Sequence, residues 1–232
     1  MAEITYFDLE IDAIKKNVCS PNTAKTRFAL NLKDIPYNTE WVTFGTLQDT
    51  VKSYTKTDKW QTVPTIVDKR NDKVVQDSWE IIKYLEEVYP DHPSVFNGNQ
   101  GVHKFFHDYC DQNVMVPVFK MCLISLCNSC GEFKDYFRTD REITFKMTLE
   151  ELAGQPEDHV PALKEGLLPI HQLLQAYPYI TGDQAGWADI VLASHLNFMY
   201  RFRPDLFESS VLGLFDDDVL ANWWKRTEHF RK

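Results

Sequence analysis

The chain has 232 residues, 44% hydrophobic and 13% aromatic, with a formal charge of −9; that is enough for one large or two ordinary domains, and the acidic balance argues against a nucleic-acid partner. No run approaches the roughly 18 apolar residues of a membrane span, and "MAEITYFDLEID" lacks the basic and apolar regions of a signal peptide. Five scattered cysteines suit reduced thiols better than a disulfide framework, so a cytoplasmic protein with no membrane partner is expected.

In chain order, "EITYFDLEI" has the β-branched and aromatic content of a strand, "TAKTRFALNLKD" reads as a helix and "YNTEWVTF" alternates as a strand. "TLQDTVKSYT" is a short polar helix or a loop. "TVPTIVD" and "KVVQ" are two short strands joined by a turn at Lys69–Asp72. "DSWEIIKYLEEVYP" is a helix with Asp77 or Ser78 as N-cap, an apolar stripe of Ile81, Ile82, Leu85, Val88 and Tyr89, and Pro90 and Pro93 ending it. The order βαβ, helix or loop, ββα describes a thioredoxin-like unit.

Beyond a linker at about 91–100 the strand signals stop. Residues 102–127 form a long apolar helix expected to kink near Pro117. Residues 140–152 and 160–177 give two more helices, the latter with Val160, Leu163, Leu167, Ile170, Leu174 and Tyr177 at spacings of three and four. "WADIVLASHLNFMYRF" and "DDDVLANWWKRTEHF" complete an all-helical half, with Asp216–Asp218 as a helix start favoured by the dipole.

Three local features fall in register. Ser20-Pro21 opens the first helix with Arg27 seven residues after Ser20; Val63-Pro64 precedes a strand in "TVPTI"; and Asp77-Ser78 opens the helix after the hairpin. In this order they resemble the soluble glutathione transferases, and "YITGDQAGWADIVLASHL" is similar to that family's approach to its core helix. More narrowly, "SPNTAKTRFALNLKDIPYNTEWV" and "YFRTDREITFKMTLEEL" resemble the fungal FuA-class and etherase-related branch. The resemblance spans nearly the whole chain. It implies an α/β + all-α fold: a thioredoxin-like glutathione-binding domain over residues 1–92 and an all-helical domain over residues 100–232. The second would contribute a hydrophobic substrate site, using residues such as Tyr109 or Phe119. A homodimer with glutathione as co-substrate, no metal and a detoxification role are also implied. Two places depart from the family pattern: Gly186 stands where a Ser or Thr N-cap often precedes the Asp, here Asp189, and "DKWQT" replaces the usual turn before Val-Pro.

Glutathione has two carboxylates, an ammonium and a thiol, and each needs a partner. A carboxylate sits well at a helix N-terminus, where free N–H groups and the dipole point outward. Ser78 would donate to the γ-glutamyl carboxylate and Asp77 would pair with the ammonium, although alone the dipeptide reads as a plain cap. The resemblance implies a cis Val63–Pro64 bond, with the Thr62–Pro64 backbone pairing with the cysteinyl part of glutathione like an added strand. Ser at the N-cap and Pro at the first helical position make Ser20 the cap, with Cys19 outside the helix. A thiolate docked at Ser20 would be stabilised by a hydroxyl bond and the helix field, and Asn22 is an amide donor nearby.

The leading expectation is therefore a serine-type transferase that attacks hydrophobic electrophiles or peroxides. The alternatives are a ligandin-like binder of aromatic or apolar molecules and a Cys19-dependent thiol-disulfide oxidoreductase. In the cysteine-type classes the Cys directly precedes Pro; here Ser20 holds that place and Cys19 is displaced by one. Cys127-x-x-Cys130 lacks a second pair, and His103 and His107 lack a clear third ligand, so neither reads as a metal site.

Overall fold

The computed structural model describes residues 3–232. The chain divides into two compact units, one running through Val95 and taking in Phe230–Lys232, the other Phe96–His229.

In the first unit, β1 (Ile4–Leu9), β2 (Tyr37–Val42), β3 (Thr65–Asp68) and β4 (Lys73–Gln76) form a sheet in the order β2-β1-β3-β4. β1 runs parallel to β2 and antiparallel to β3, and β3 is antiparallel to β4. Strand alternation sorts side chains onto two faces. On one face Phe7 and Val42 pack with Val51 of α2 (Leu47–Thr55), joined by Leu47, Val63 and Val67. On the other, Tyr6 and Asp8 meet α1 (Pro21–Leu32): the Tyr6 hydroxyl donates to the Thr23 carbonyl at 2.7 Å, and Arg27 Nη2 lies 3.1 Å from Asp8 Oδ2. α3 (Ser78–Val88) buries Ile81, Ile82 and Leu85, the predicted apolar stripe. Two polar anchors hold this layer. Lys33, 1% exposed, places Nζ 2.7 Å from Glu86 Oε1 and 3.0 Å from the Pro93 carbonyl. Asp68 Oδ2, at the end of β3, accepts from the hydroxyls of Tyr84 and Tyr89, each at 2.7 Å. The C-terminus joins the unit through Asn31, whose side-chain amide donates to the carbonyls of Phe230 and Lys232, both at 2.8 Å.

The second unit is helical, centred on α9 (Trp187–Phe202), which is buried nearly all round. At its start Asp189 gathers four donors: Ile180 N (2.9 Å), Gly186 N (3.1 Å), Thr181 Oγ1 (2.9 Å) and Trp223 Nε1 (2.8 Å). The Gly186 N–H supplies half a capping box; the other half needs an acceptor side chain that glycine lacks, and the Asp189 carboxylate is held instead by the further donors Trp223, Ile180 and Thr181.

The predicted 102–127 helix is longer and interrupted. α4 (Gln100–Cys110) passes through a π-turn at Asp111–Met115 into α5 (Val116–Ser129). Pro117 has no N–H to donate and its ring crowds the carbonyl four residues back, so the widened turn falls just before it. The run Gln100–Ser129 is long and apolar enough to cross a membrane by length and composition, which a count of consecutive apolar residues does not detect; Val114, Val118, Met121, Cys122 and Leu123 within it are buried in the helical unit. The predicted helix at 140–152 is two helices, α6 (Lys134–Phe145) and α7 (Leu149–Ala153). Lys146 turns left-handed at φ +57, and Thr148 opens α7 with a reciprocal capping box to Glu151. α8 (Pro156–Leu174) contains Pro161 and Pro169. It crosses the π-turn so closely that a Cβ on Gly166 would lie 2.2 Å from the Asn113 carbonyl oxygen. α10 (Pro204–Phe207), its π-turn at Glu208–Leu212 and α11 (Val219–Arg226) complete the unit. The stretch 204–212 carries no strong periodicity and was not anticipated.

Candidate functional site

The sheet register explains why distant motifs meet. Phe7, near the C-terminal end of β1, pairs with Thr65 at the start of β3, and Thr65 pairs with Gln76 at the end of β4. The segments leaving β1, entering β3 and leaving β4 therefore share one end of the sheet. These segments carry Ser20, Thr62–Pro64 and Asp77–Ser78.

Ser20 is the N-cap of α1, with Pro21 at the first helical position. Its Oγ accepts from the Thr23 N–H at a long 3.5 Å, and its carbonyl accepts from the Thr23 hydroxyl at 3.2 Å. Since Oγ is an acceptor toward the backbone, its own hydrogen remains available to a group docked at the helix end. Asn22 is exposed, and its Oδ1 accepts from Lys25 Nζ at 3.5 Å. Cys19 lies behind, 2% exposed, its thiol donating to the Leu9 carbonyl at 3.8 Å.

The Val63–Pro64 bond is cis. The half-buried Val63 side chain packs on the Phe7, Val42 and Val51 cluster, which fixes the backbone at this edge. The Pro64 carbonyl accepts from Asp77 N at 3.2 Å, so the proline segment and the start of α3 are bonded directly. Gln76 Nε2 adds a brace, donating to the Thr62 carbonyl (3.2 Å) and Thr65 Oγ1 (3.1 Å). Gln61, 2% exposed, exchanges two hydrogen bonds with Gln48, its N–H to Oε1 (3.0 Å) and Gln48 Nε2 to its carbonyl (2.9 Å). Sequence reasoning assigned nothing to Gln61 or Gln76. These bonds reach partners 11 to 14 residues away, and no local pattern reports them.

Asp77 caps α3, its Oδ1 accepting from Trp79 N (2.9 Å) and Glu80 N (3.1 Å). Both bonds fall on one oxygen, so the second faces outward on an exposed residue. Asp77 also holds φ +77 and ψ 131, a conformation that L-residues rarely adopt. Such strain persists where surroundings impose it and is concentrated at functional sites. Ser78 follows at the first helical position, 6% exposed.

Below α1, Asp8 is fully buried and also accepts from Leu9 N at 2.8 Å. Burial pushes its carboxyl above the usual range despite the opposing Arg27 guanidinium. Arg27 in turn donates to Thr39 Oγ1 (3.1 Å) and Tyr37 OH (3.3 Å), and stacks over the Tyr6 and Trp41 rings. The arginine singled out in the first motif thus sets the floor beneath the Ser20 helix.

Of the aromatic residues expected at a second substrate, Tyr109 lines a cavity of about 580 Å³ inside the helical unit, and Phe119 packs against Phe145 with ring centroids 6.3 Å apart. His103 and His107 are buried on one face of α4, against the rings of Phe96 and Trp187 respectively.

Comparison with known proteins agrees with this architecture. The family models described as "Glutathione S-transferase, N-terminal domain" and "Glutathione S-transferase, C-terminal domain" match residues 19–88 and 101–230. The fold is similar to the crystal structure of glutathione transferase GSTFuA2 from Phanerochaete chrysosporium, with 28% identity, TM-score 0.88, and 100% of this chain and 99% of that one covered. It is also similar to a Ceriporiopsis subvermispora glutathione S-transferase solved in complex with glutathione, with 25% identity, TM-score 0.86 and coverage of 98% and 97%. The glutathione S-transferase-like protein ustS of Aspergillus flavus is 24% identical over 230 residues, 88% of this chain and 82% of that protein. A thioredoxin-like first unit, a helical second unit and two family models covering most of the chain together make this protein a member of the glutathione S-transferase family.

Proposed function

We propose that the chain is a serine-type transferase in which Ser20 donates a hydrogen bond to the thiolate of bound glutathione. The observation carrying this reading is the sheet register, which gathers Ser20, the cis Val63–Pro64 segment and Asp77–Ser78 at one end. The tripeptide lies across that end. Its γ-glutamyl carboxylate takes the Ser78 hydroxyl and the α3 N-terminus, and its ammonium takes the outward oxygen of Asp77. Its cysteinyl backbone pairs with the Thr62–Pro64 edge. The sulfur then reaches the α1 N-terminus, where the Ser20 hydroxyl, the helix dipole and the Asn22 amide favour the charged form. The thiolate attacks a hydrophobic electrophile: a carbon–sulfur bond forms and the leaving group departs with its electron pair. A peroxide is an alternative acceptor. The reading extends to a cytoplasmic homodimer, as the family resemblance implies, and five buried thiols suit a reducing compartment.

The ligand complex of the Ceriporiopsis relative supports glutathione as co-substrate. Burial of Cys19 weighs against attack by its own sulfur, because a reactive thiol must be exposed and ionised. Conjugation of glutathione to 1-chloro-2,4-dinitrobenzene tests the assignment. Ser20→Ala should lower kcat/KM by roughly tenfold or more, the equivalent of one hydrogen bond to a charged group at about 1.5–3 kcal/mol. Cys19→Ala should leave it within about twofold, a change of about 0.4 kcal/mol or less. The reverse pattern would transfer the chemistry to Cys19.

A further inference from the structure

The stretch "DKWQT", which stands where the family pattern has its usual turn, is held by glutamine side chains. Gln61, 2% exposed, lies within it. Its Nε2 donates to the Thr57 and Lys59 carbonyls, and its Oε1 accepts from Thr55 Oγ1 at 2.8 Å and Gln76 Nε2 at 3.4 Å. One buried amide thus ties the end of α2, the loop and the end of β4 together. The backbone beside it is nearly used up. Both main-chain groups of Gln61 are bonded to Gln48. The Thr62 carbonyl accepts from Thr65 Oγ1 at 2.7 Å and from Gln76 Nε2 at 3.2 Å. Pro64 has no N–H, and its carbonyl is bonded to Asp77 N. Among the described residues, none bonds the N–H or the carbonyl of Val63. Within Gln61–Pro64, Val63 alone therefore offers the donor and acceptor pair that one strand residue exchanges with the residue opposite.

We propose that Gln48, Gln61 and Gln76 are positioning residues for glutathione: they occupy the Gln61 and Thr62 carbonyls, leave Val63 as the one complete rung, and hold that rung rigid before the tripeptide arrives. This role rests on the assignment of the Thr62–Pro64 edge to the cysteinyl backbone of glutathione. A ligand shifted by one residue meets groups that are already bonded, so the edge specifies a single register. A rigid edge also binds without the cost of ordering a loop. Neither effect involves the sulfur, so the glutamines act on glutathione binding and not on the chemical step.

The test is steady-state conjugation of glutathione to 1-chloro-2,4-dinitrobenzene in Gln76→Met and Gln76→Lys. Methionine matches glutamine in length without a donor; lysine keeps a donor that can reach the Thr62 carbonyl. Gln76→Met should raise KM for glutathione about fivefold, the scale of one neutral hydrogen bond, with kcat within about twofold of wild type. Gln76→Lys should keep KM within about twofold of wild type. Gln48→Met releases the Gln61 backbone from α2 and should repeat the Gln76→Met result, which keeps the test open should one variant misfold. Unchanged KM in the folded methionine variants would overturn the proposal. So would methionine and lysine variants that behave alike, or a fall in kcat with KM unchanged. Asp77→Gly, run in parallel, separates this failure from that of the site. A raised KM in Asp77→Gly with wild-type KM in both methionine variants overturns the glutamine role alone. Wild-type KM in all of these variants overturns the glutathione assignment with it.

Discussion

Asp77 is the residue where capping and ligand binding can be separated. Its carboxylate caps α3, and its backbone sits at φ +77, a value that favours glycine. Asp77→Gly removes the cap but also the strain, and glycine at an N-cap costs only a few tenths of a kcal/mol relative to the polar caps. The variant should therefore unfold within about 0.5 kcal/mol of wild type in urea. If the outward oxygen binds the ammonium of glutathione, its KM for glutathione should nevertheless rise by about tenfold, with kcat nearly unchanged. A large loss of stability with an unchanged KM would return Asp77 to a purely structural role. "QDSW" made this residue visible as a cap or an ammonium partner. Its strained backbone was not visible, because φ at Asp77 is set by its bond to the Pro64 carbonyl, 13 residues away in sequence.

At the scale of elements, Asp68 shows how the C-terminal half of α3 is held. Burial pushes its carboxyl up, but hydrogen bonds from Asn71, Tyr84 and Tyr89 outweigh this and leave its pKa below the usual value. A depressed carboxylate contributes stability in full above its unfolded pKa of about 3.9 and loses it as pH falls through the folded value. Asp68→Asn should cost about 2 kcal/mol at pH 7, the scale of hydrogen bonds to a charged group. The gap to wild type should narrow in urea titrations run below pH 4, and a gap constant across that range would contradict the assignment. In the helical unit, Gly166→Ala would press a Cβ to 2.2 Å from the Asn113 carbonyl oxygen. Forcing α8 off the π-turn should cost about 1–3 kcal/mol, seen as a lowered Tm. Strands and apolar helices were legible because side-chain period reports them directly. The break between α6 and α7 was not, since the 140–152 stretch keeps helical composition throughout. Only Thr148 and Glu151, whose capping box needs both side chains in place, mark the new start. The π-turn was half legible: Pro117 announced a disturbance, but the close crossing of Gly166 at Asn113, within Asp111–Met115, joins residues far apart in sequence.

For the whole molecule, the two units differ in chemistry. The first brings polar chain segments together at one end of a sheet. The second offers an apolar cavity with no charged lining residue. The family was readable because Ser-Pro, Val-Pro and Asp-Ser follow one another in the order the sheet later brings together. The Gln61 and Gln76 braces and the Asp8–Arg27 floor were not readable, since each joins residues that only the folded register places side by side. The central claim is that Ser20 holds glutathione as thiolate. Ultraviolet difference titration of bound glutathione near 240 nm tests it most directly, by following thiolate absorbance against pH in the wild type and in Ser20→Ala. The account predicts a thiol pKa well below the free value of about 8.5 in the wild type, returning toward it in the variant with glutathione affinity little changed. Superimposable titrations in the two proteins would contradict it.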